Sequence, residues 1–433
     1  MIKTVQPLFL LILTTFYSFG QLKKVPIGQR SSENNALTLE LTHRNQYYKS
    51  VTASDKDVYE PAINSPKSVT FSQDGSKYYI QSLEGCETVV FDAKTHKKIK
   101  GIAHKFNAGN KQLFKNNEYT LFDYVFPEDR SNPNFFSGKP VEACLSANGD
   151  WLFVTYYRRS YDANAQLPSA LCVIDTEKDE IVRVIPTAPL PKMIAASSDG
   201  KYVAVTHWGD NTVGVLDVSS NDPFQFNYVK LLEVDKRVTL VYDTTEIIDR
   251  DNNCSNCLRG TTFTPDSKYL LIGRMGGNGG LAIFRMSNFS KVGSVAGLKP
   301  NIRHILVDTE YIYMSVNKTG YVDKVKWGDV RYHFNPEEIK TITVKPDKSV
   351  FVGTGARTIA MDPKSEYTFA AVNNESKIVV IRNSDWKVVT EIDADSYPVG
   401  LAVSPDGKQL IATAQGKGNQ GGNSVMVYSI QKQ

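Results

Sequence analysis

The sequence predicts an all-β fold in which one small sheet is repeated around a ring, and three observations predict it. One strand–turn–strand pattern occurs seven times, and its clearest copy is PLPKMIAASSDGKYVAVTHWGDNTVGVLDVSS at residues 189–219. In most copies β-branched and aromatic residues alternate, which favours strands, and turn residues such as Asp-Gly join the first strand to the second. The copies start roughly 40 to 75 residues apart, and the shorter spacings match one blade of a β-propeller.

Each copy supplies three strands, and most supply a fourth. Because a single meander cannot bury both its faces but a ring of meanders can, we predict a seven-bladed β-propeller of four-stranded antiparallel blades. The copies begin, in chain order, at residues 66, 140, 189, 258, 302, 356 and 398. Fourth strands are predicted at KKIKGI, EIVRVI, SKVGSV and WKVVTEI. The longer spacings are interpreted as blades with loop insertions, the largest at residues 101–138 and 219–257.

The first 20 residues predict a signal peptide. Lys3 precedes an apolar run from Val5 to Phe16, and the small residues Ser18 and Gly20 precede Gln21. The run is short for a transmembrane span, and its order of charged, apolar and small residues is typical of a cleaved secretory signal. We therefore expect residues 21–433 to form a single exported domain, periplasmic or secreted, without membrane insertion. An uncleaved anchor is the alternative.

The N-terminal strand is expected to close the ring. The segment ALTLELTH, from Ala36 to His43, alternates strictly and stands outside the repeats, whereas the seventh copy ends at SIQKQ without a fourth strand. Pairing these two ends would complete the last blade and remove two exposed sheet edges. Closure then depends on Leu37, Leu39 and Leu41 packing inward.

One column of residues on the loop-rich face carries chemistry. The large insertions precede the first strand of a blade or join its second and third strands, which places them on one face of the ring. Function in repeat rings concentrates where loops are long. The residues that align at the start of the first strands are Lys67, Val141, Lys192, Arg259, Arg303, Arg357 and Val399. Five cations around a narrow opening would hold an anion, unless each pairs with a neighbouring carboxylate or a loop carbonyl and merely fastens blades together.

Further basic and aromatic residues are predicted near this column. They are Tyr157, Arg158, His207, Trp208, Arg274 and His304. Such groups suit a planar or sugar-like anion through stacking and bidentate hydrogen bonds. His207 is the one candidate catalytic residue, although a single histidine is more often a structural hydrogen-bonding group.

The five cysteines predict one disulfide. Cys254 and Cys257 lie three residues apart in an insertion and can pair in an oxidising compartment, with a redox or metal role as the alternative. No second Cys pair or His spacing accompanies them, so no metal site is predicted. The chain of 433 residues is 41% hydrophobic and 22% charged with a net charge of +4, a balance that does not indicate binding to nucleic acid.

The segments SVTFSQDGSKYYI, AASSDGKYVAVTHWGDNTVGVLDV and LAVSPDGKQLIATA resemble the YVTN-type seven-bladed β-propellers, and the resemblance covers nearly all of residues 60–430. The signature is specific for the fold and not for function. Similar propellers include exported proteins of unknown ligand, surface-layer proteins, the phosphogluconolactonase type of lactonase, heavy chains of amine dehydrogenases and the haem d1 domain of nitrite reductases.

The resemblance leaves three functions open. The first is an exported, non-catalytic propeller, expected to be a monomer, that binds a small anionic ligand or a protein partner on its loop-rich face. The second is a lactonase-like hydrolase, which resemblance implies would use His207 with Arg259 or Arg303 on a cyclic ester. The third is a haem d1 or quinoprotein-type redox propeller, in which His207 or His304 would ligate iron. We favour the first and predict no cofactor, because no complete catalytic set can be aligned.

Overall fold

The structure is a computed structural model that describes most of the chain. The described residues are 24–32, 36–48, 54–116, 118, 132–238, 247–334, 338–416 and 422–432. The predicted signal peptide, residues 1–20, lies outside them. Within the described segments, no helix combines the length and the apolar character that a membrane crossing requires.

The strands form seven sheets arranged as a ring, which confirms the predicted seven-bladed β-propeller. Each blade contains four antiparallel strands, and its first strand contacts the first strands of both neighbouring blades. The first strands therefore line a central channel. The hydrophobic cores lie between the blades, where apolar residues from facing sheets pack together.

The strands of the first four blades run from the channel outwards. Blade 1 comprises Pro66–Phe71, Lys77–Ser82, Glu87–Asp92 and Lys98–Ala103. Blade 2 comprises Phe136–Leu145, Trp151–Arg159, Ser169–Asp175 and Glu180–Thr187. Blade 3 comprises Pro191–Ala196, Tyr202–His207, Thr212–Asp217 and Asn227–Glu233. Blade 4 comprises Leu258–Phe263, Tyr269–Arg274, Leu281–Arg285 and Ser290–Ala296.

The remaining three blades repeat the same order. Blade 5 comprises Ile302–Val307, Tyr311–Val316, Tyr321–Lys326 and Lys348–Phe351. Blade 6 comprises Ala356–Met361, Tyr367–Val372, Lys377–Arg382 and Lys387–Asp393. Blade 7 comprises Pro398–Val403, Gln409–Ala414, Ser424–Lys432 and, from the other end of the chain, Leu37–Gln46. The other elements are the strands Asp57–Tyr59, Lys105–Phe106 and Lys340–Thr343, the 3-10 helices Ala108–Leu113 and Pro223–Gln225, and the α-helix Trp327–Tyr332.

Parts of both large predicted insertions belong to strands of the blades in the structure. Residues 101–103 still belong to the outer strand of blade 1, and the inner strand of blade 2 already begins at Phe136. The range 219–257 contains the outer strand of blade 3, Asn227–Glu233, which pairs with Thr212–Asp217. Tyr228 and Leu232 of that strand are buried, as expected for residues that face one side of a blade.

One large insertion lies on the opposite face of the ring from the others. It joins the third and fourth strands of blade 5, contains the helix Trp327–Tyr332, and sends Lys340–Thr343 to pair in parallel with the outer strand of blade 4. Loops between third and fourth strands lie on the same face as the Asp-Gly turns. The expectation that all large insertions share one face is therefore wrong for this segment.

The N-terminal strand closes the ring, as predicted. Leu37–Gln46 pairs antiparallel with Ser424–Lys432, with a bulge between Leu41 and His43. Leu37, Leu39 and Leu41 are fully buried and pack in the core between blades 6 and 7. The two ends of the chain thus share one sheet, and the ring cannot open without separating them.

A buried arginine fastens this closure. The Arg44 side chain is 2% exposed and lies between two carboxylates, with Nη2 at 2.6 Å from Asp57 Oδ2 and Nη1 at 3.2 Å from Asp395 Oδ1. Its Nη1 also donates to the carbonyl oxygen of Val25 at 2.6 Å. One guanidinium therefore ties the N-terminal segment to the loop that leads into blade 7.

Two histidines are structural parts of the interfaces between blades. His207 is fully buried, with Nε2 at 2.7 Å from Thr187 Oγ1 and Nδ1 at 3.0 Å from Thr212 Oγ1. His104 is also fully buried, with Nε2 at 2.8 Å from Thr88 Oγ1 and Nδ1 at 2.9 Å from the Tyr156 hydroxyl. Burial lowers the pKa of each imidazole to about 3.

We predict that Arg44→Ala lowers the free energy of unfolding by about 3–5 kcal/mol, because it leaves the buried Asp395 carboxylate without its cation and leaves Asp57 paired with Lys24, at 3.3 Å, instead of with a buried guanidinium. The matched control is Arg30→Ala on the same N-terminal segment. Arg30 is 48% exposed and makes a 3.5 Å contact with Glu40, so its loss should cost about 1 kcal/mol or less. Urea denaturation measures both, and equal losses for the two variants would contradict this role of Arg44.

We also predict a loss of stability in acid to which His207 contributes. Its folded-state pKa of about 3 lies below the ordinary value of 6.5, so the unfolded chain binds the proton first as the pH falls. The contribution is fully present above about pH 6.5 and is lost progressively towards pH 3, by roughly 1.4 kcal/mol per pH unit. Urea denaturation between pH 7 and pH 4.5 should give His207→Gln a slope that is shallower by this amount. An unchanged slope would show that His207 already titrates normally in the folded protein.

Candidate functional site

A β-bulge at the same place in every blade positions the cation column. In blade 1, Pro66 pairs with Ser82 and Val69 with Ile80, so two residues, Lys67 and Ser68, stand opposite the single residue Gln81. The first strands of the other six blades shift register at the corresponding point. A bulge changes the direction of side chains relative to the regular alternation of a strand. The column residue of each blade thus lies where the strand leaves the channel mouth.

Hydroxyl groups on the neighbouring blade fix the backbone of the column. Thr155, on the second strand of blade 2, donates to the carbonyl oxygen of Lys192 in blade 3 at 3.3 Å. The hydroxyls of Thr413 and Ser315 bond in the same way to the carbonyl oxygens of Lys67 and Arg357. In these three blades the carbonyl at the bulge is thereby satisfied, and Lys67, Lys192 and Arg357 start from a fixed backbone.

The five predicted cations converge on one opening, which we call the cationic rim: Lys67, Lys192, Arg259, Arg303 and Arg357. Burial lowers the pKa of Lys67 well below its usual value, and the other four rim cations lower it further. Burial likewise lowers the pKa of Arg303 and Arg357, and each also feels the charge of a neighbouring rim arginine. Mutual repulsion of this kind requires that the charged groups lie close to one another.

Two rim cations have carboxylate partners. Arg259 Nη2 lies 2.7 Å from Glu142 Oε1, and Lys192 Nζ lies 3.1 Å from Asp251 Oδ1. For Arg259 and Lys192 the alternative interpretation of the column, in which each cation pairs with a carboxylate and fastens one blade to another, describes the structure. Glu142 comes from blade 2 and Arg259 from blade 4, so this pair spans the mouth of the channel.

The other three rim cations have no carboxylate partner among the described residues. Lys67 Nζ donates to the amide oxygen of Gln415 at 2.5 Å. Arg303 Nη1 lies 3.8 Å from the sulfur of Met275, and its buried Nε makes no hydrogen bond within the described segments. No described residue accepts a hydrogen bond from the Arg357 side chain. Arg303 and Arg357 thus carry two positive charges that no carboxylate among the described residues compensates, and Lys67 adds a third when it is protonated.

Lys192 lies in an aromatic cage. Its ammonium is 4.3 Å from the ring centroid of Tyr157 and 5.1 Å from that of Trp208. The Tyr157 hydroxyl donates to the Asp251 carboxylate, and Trp208 Nε1 donates to the Asp251 carbonyl oxygen at 3.0 Å. Burial is the largest cause that lowers the pKa of Lys192, to about 8, while Asp251 opposes the shift.

His304 also reaches the rim, directly beside Arg303. Its Nδ1 is buried and has no hydrogen-bond partner in the described part of the chain. Burial, together with the charges of Arg259 and Arg303, lowers the pKa of its imidazole to about 4. His304 is therefore neutral at physiological pH and adds no charge to the rim.

Three other predicted site residues make their hydrogen bonds to groups outside the rim. His207 is buried between blades 2 and 3, as described above. Arg158 Nη1 donates to the carbonyl oxygen of Asp162 at 3.1 Å, within its own loop. Arg274 pairs with Asp235 at 3.1 Å and donates to Ser294 at 3.3 Å, towards the outer strands. Arg274 thus serves a blade contact, whereas Arg158 bonds to the loop after its strand and its charge acts on the neighbouring Tyr157.

Sequence reasoning missed four neighbours of the rim cations: Glu142, Asp251, Met275 and Gln415. Glu142 follows Val141 of the column directly, and the bulge accounts for its approach to the channel mouth. The other three lie in loops, where no strand periodicity indicates direction. Only their position in the insertions and in the loops between second and third strands marks them.

Cys254 and Cys257 form a disulfide in the structure, with their Cα atoms 4.8 Å apart, while Cys86, Cys144 and Cys172 are free thiols. The disulfide loop packs on the loop that carries Met275, because Met275 N donates to the Cys257 carbonyl oxygen at 3.2 Å. The insertion that contains the two cysteines also contains Asp251, which pairs with Lys192. Within the described residues no group of three or more His, Cys, Asp or Glu side chains is arranged to hold a metal ion.

Comparisons with known proteins show the fold and no closer relationship. No family model matches the chain, and no curated protein matches it either. A solved structure of Kuenenia stuttgartiensis hydrazine synthase is 15% identical with a TM-score of 0.56, and the alignment covers 88% of this chain and 98% of that one. The β-propeller domain of Cps50 (Swd1) from Myceliophteria thermophila is 11% identical with a TM-score of 0.58, covering 85% of this chain and 97% of that one. At these identities the similarity supports a β-propeller fold only, and the function has to be inferred from the candidate site.

Proposed function

We propose that this protein is an exported, non-catalytic β-propeller that binds a small anion at the mouth of its central channel. The observation that carries the proposal is the cationic rim, in which five cations converge and only two carboxylates compensate them among the described residues. Buried like charges repel one another strongly in a low-dielectric channel, and an anion placed between them relieves this repulsion.

The positions of the three cations without carboxylate partners favour a ligand with two or more negative charges. Arg303 and Arg357 are on adjacent blades, and Lys67 is separated from Arg357 only by Val399 of blade 7. Two guanidinium groups side by side match the oxygens of a carboxylate or a phosphate through paired hydrogen bonds. A dicarboxylate, a tricarboxylate or a phosphate monoester fits this charge.

The loops around the rim supply groups for orientation. Trp208 and Tyr157 present aromatic faces next to Lys192, and His304 offers a neutral imidazole beside Arg303. A ligand with a planar or sugar-like body can stack on the aromatic rings while its anionic groups contact the arginines. The sequence resemblance to YVTN-type propellers, which include exported proteins of unknown ligand, is compatible with such a role.

The two catalytic alternatives gain no support from the site. The lactonase-like hydrolase relied on His207, which has both ring nitrogens bonded to threonine hydroxyls and lies away from the rim. The redox alternative relied on His207 or His304 as an iron ligand without a matching motif. Neither is proposed here.

The proposal of export rests on the first residues of the chain. The order of Lys3, the apolar run Val5–Phe16 and the small residues before Gln21 is that of a signal peptide. The Cys254–Cys257 disulfide suits an oxidising compartment such as the periplasm or the exterior. We propose that the mature protein works there as a monomer.

We predict that Arg303→Gln and Arg357→Gln each weaken binding of a multivalent anion by roughly 10- to 150-fold, the loss expected for one charged hydrogen-bonded pair. The experiment is isothermal titration calorimetry against a panel of dicarboxylates, tricarboxylates and phosphate monoesters. Arg382→Gln is the matched control, because Arg382 pairs with Asp385 on the surface of blade 6, away from the rim. No binding by the wild-type protein, or equal losses in all three variants, would refute the proposal.

We predict that the affinity for the anion falls as the pH rises from 7 to 9. Lys192 has a pKa of about 8, so it is charged at pH 7 and mostly neutral at pH 9, and the field of the rim weakens as it loses its proton. The decrease in affinity is at most about tenfold per pH unit above 8. Lys192→Arg should remove the step near pH 8, because arginine keeps its charge. A pH-independent affinity in the wild-type protein would contradict this electrostatic account.

A further inference from the structure

Lys67 differs chemically from the other cations of the rim. Arginine keeps its proton in proteins, so Arg259, Arg303 and Arg357 remain charged whatever their surroundings. Lys192 is held close to the Asp251 carboxylate at 3.1 Å, which stabilises its charged form. Among the described residues, Lys67 has only the neutral amide oxygen of Gln415 as its hydrogen-bond acceptor, at 2.5 Å. Of the five rim cations, Lys67 is therefore the one whose deprotonation relieves the mutual repulsion most readily.

Burial and four neighbouring cations disfavour an ammonium at Lys67. The rim cations Arg357, Lys192, Arg259 and Arg303 lower its pKa, after burial as the largest cause. Asp251 feels the charge of Lys67 but lies in contact with Lys192 and Tyr157 instead. The side chain is half-buried and borders the channel, and the Thr413 hydroxyl holds its backbone carbonyl. The Lys67 amino group is thus reachable from the channel mouth.

A desolvated lysine next to other cationic groups is an activated nucleophile for carbonyl compounds. The rim adds a means of delivering such a compound, because the free guanidinium groups of Arg303 and Arg357 can hold its carboxylate. From this juxtaposition we infer that Lys67 forms a reversible imine with the carbonyl group of a 2-oxo acid bound at the rim. The inference rests on the proposed anion binding and assigns the ligand to one chemical class.

The step is balanced without any further reagent. The lone pair of Lys67 Nζ forms a bond to the carbonyl carbon, the carbon–oxygen π bond breaks, and one proton passes from the nitrogen to the oxygen to give a carbinolamine. Loss of one water molecule then forms the carbon–nitrogen double bond, and addition of water reverses the sequence. The imine takes one proton from solvent water, and the carboxylate of the bound 2-oxo acid compensates the positive charge that this proton brings.

Reductive trapping tests the inference on the whole protein. The protein is incubated with pyruvate and cyanoborohydride at pH 7, digested, and mapped by mass spectrometry for the secondary amine that reduction of the imine leaves on lysine. We expect Lys67 to be modified at least about tenfold faster than the exposed Lys201 and Lys408, since each unit by which a pKa falls raises the neutral fraction about tenfold. Lys192, with its carboxylate partner, is the matched comparison within the same rim and should react more slowly than Lys67.

Two controls separate the parts of the argument. Lys67→Arg keeps the charge and should lose the adduct at this position only, and malonate, an anion without a carbonyl group, should protect Lys67 from modification. If malonate binds by calorimetry but Lys67 reacts no faster than Lys201, the imine inference fails and the anion site stands. If malonate neither binds nor protects and Lys67 shows no excess reactivity, both the inference and the proposed function fail.

Discussion

The repeated β-bulge in the inner strands is the constraint on which the site depends. A regular strand would send successive side chains alternately into the two neighbouring blade interfaces, where a charged group is costly. The bulge gives each blade one extra residue at the channel mouth, and in five of seven blades that residue is a lysine or an arginine. Hydroxyl groups from the preceding blade then satisfy carbonyls that the bulge leaves outside the ladder. The backbone of the ring thus determines where the charged side chains of the rim lie.

The ring must be closed for this convergence to exist. Cations from different blades meet only if the first and last blades are held together, and this task falls to the N-terminal strand and to Arg44. The ring closure and the cationic rim therefore differ in their balance of charge. Where the N-terminal strand closes the ring, the buried Arg44 lies between two carboxylates. At the rim, cations outnumber the carboxylates among the described residues. The first arrangement stabilises the fold, and the second is the form expected of a site that awaits an anion.

Much of the architecture could be predicted from the sequence because the repeat is written in hydrophobic alternation and turn residues. The number of blades, the closing strand and the register of the cation column all follow from that pattern. The bulge could not be predicted, because it changes no residue type and shows only as a shift in pairing. Asp251 and Gln415 were missed because loops carry no periodicity. His207 looked available because a histidine before a Trp-Gly-Asp loop gives no sign of its burial, and only the threonines at both ring nitrogens show its structural role.

The rim carries more positive charge than the described carboxylates compensate, and we propose that an anion binds there. The most direct measurement is an anomalous diffraction map from a crystal of the protein soaked in selenate, a divalent anion whose selenium can be located without bias. The account predicts a dominant peak at the channel mouth, with selenate oxygens about 3 Å from the guanidinium nitrogens of Arg303 and Arg357. An empty rim, with selenate bound only at exposed lysines on the outside of the ring, would contradict it.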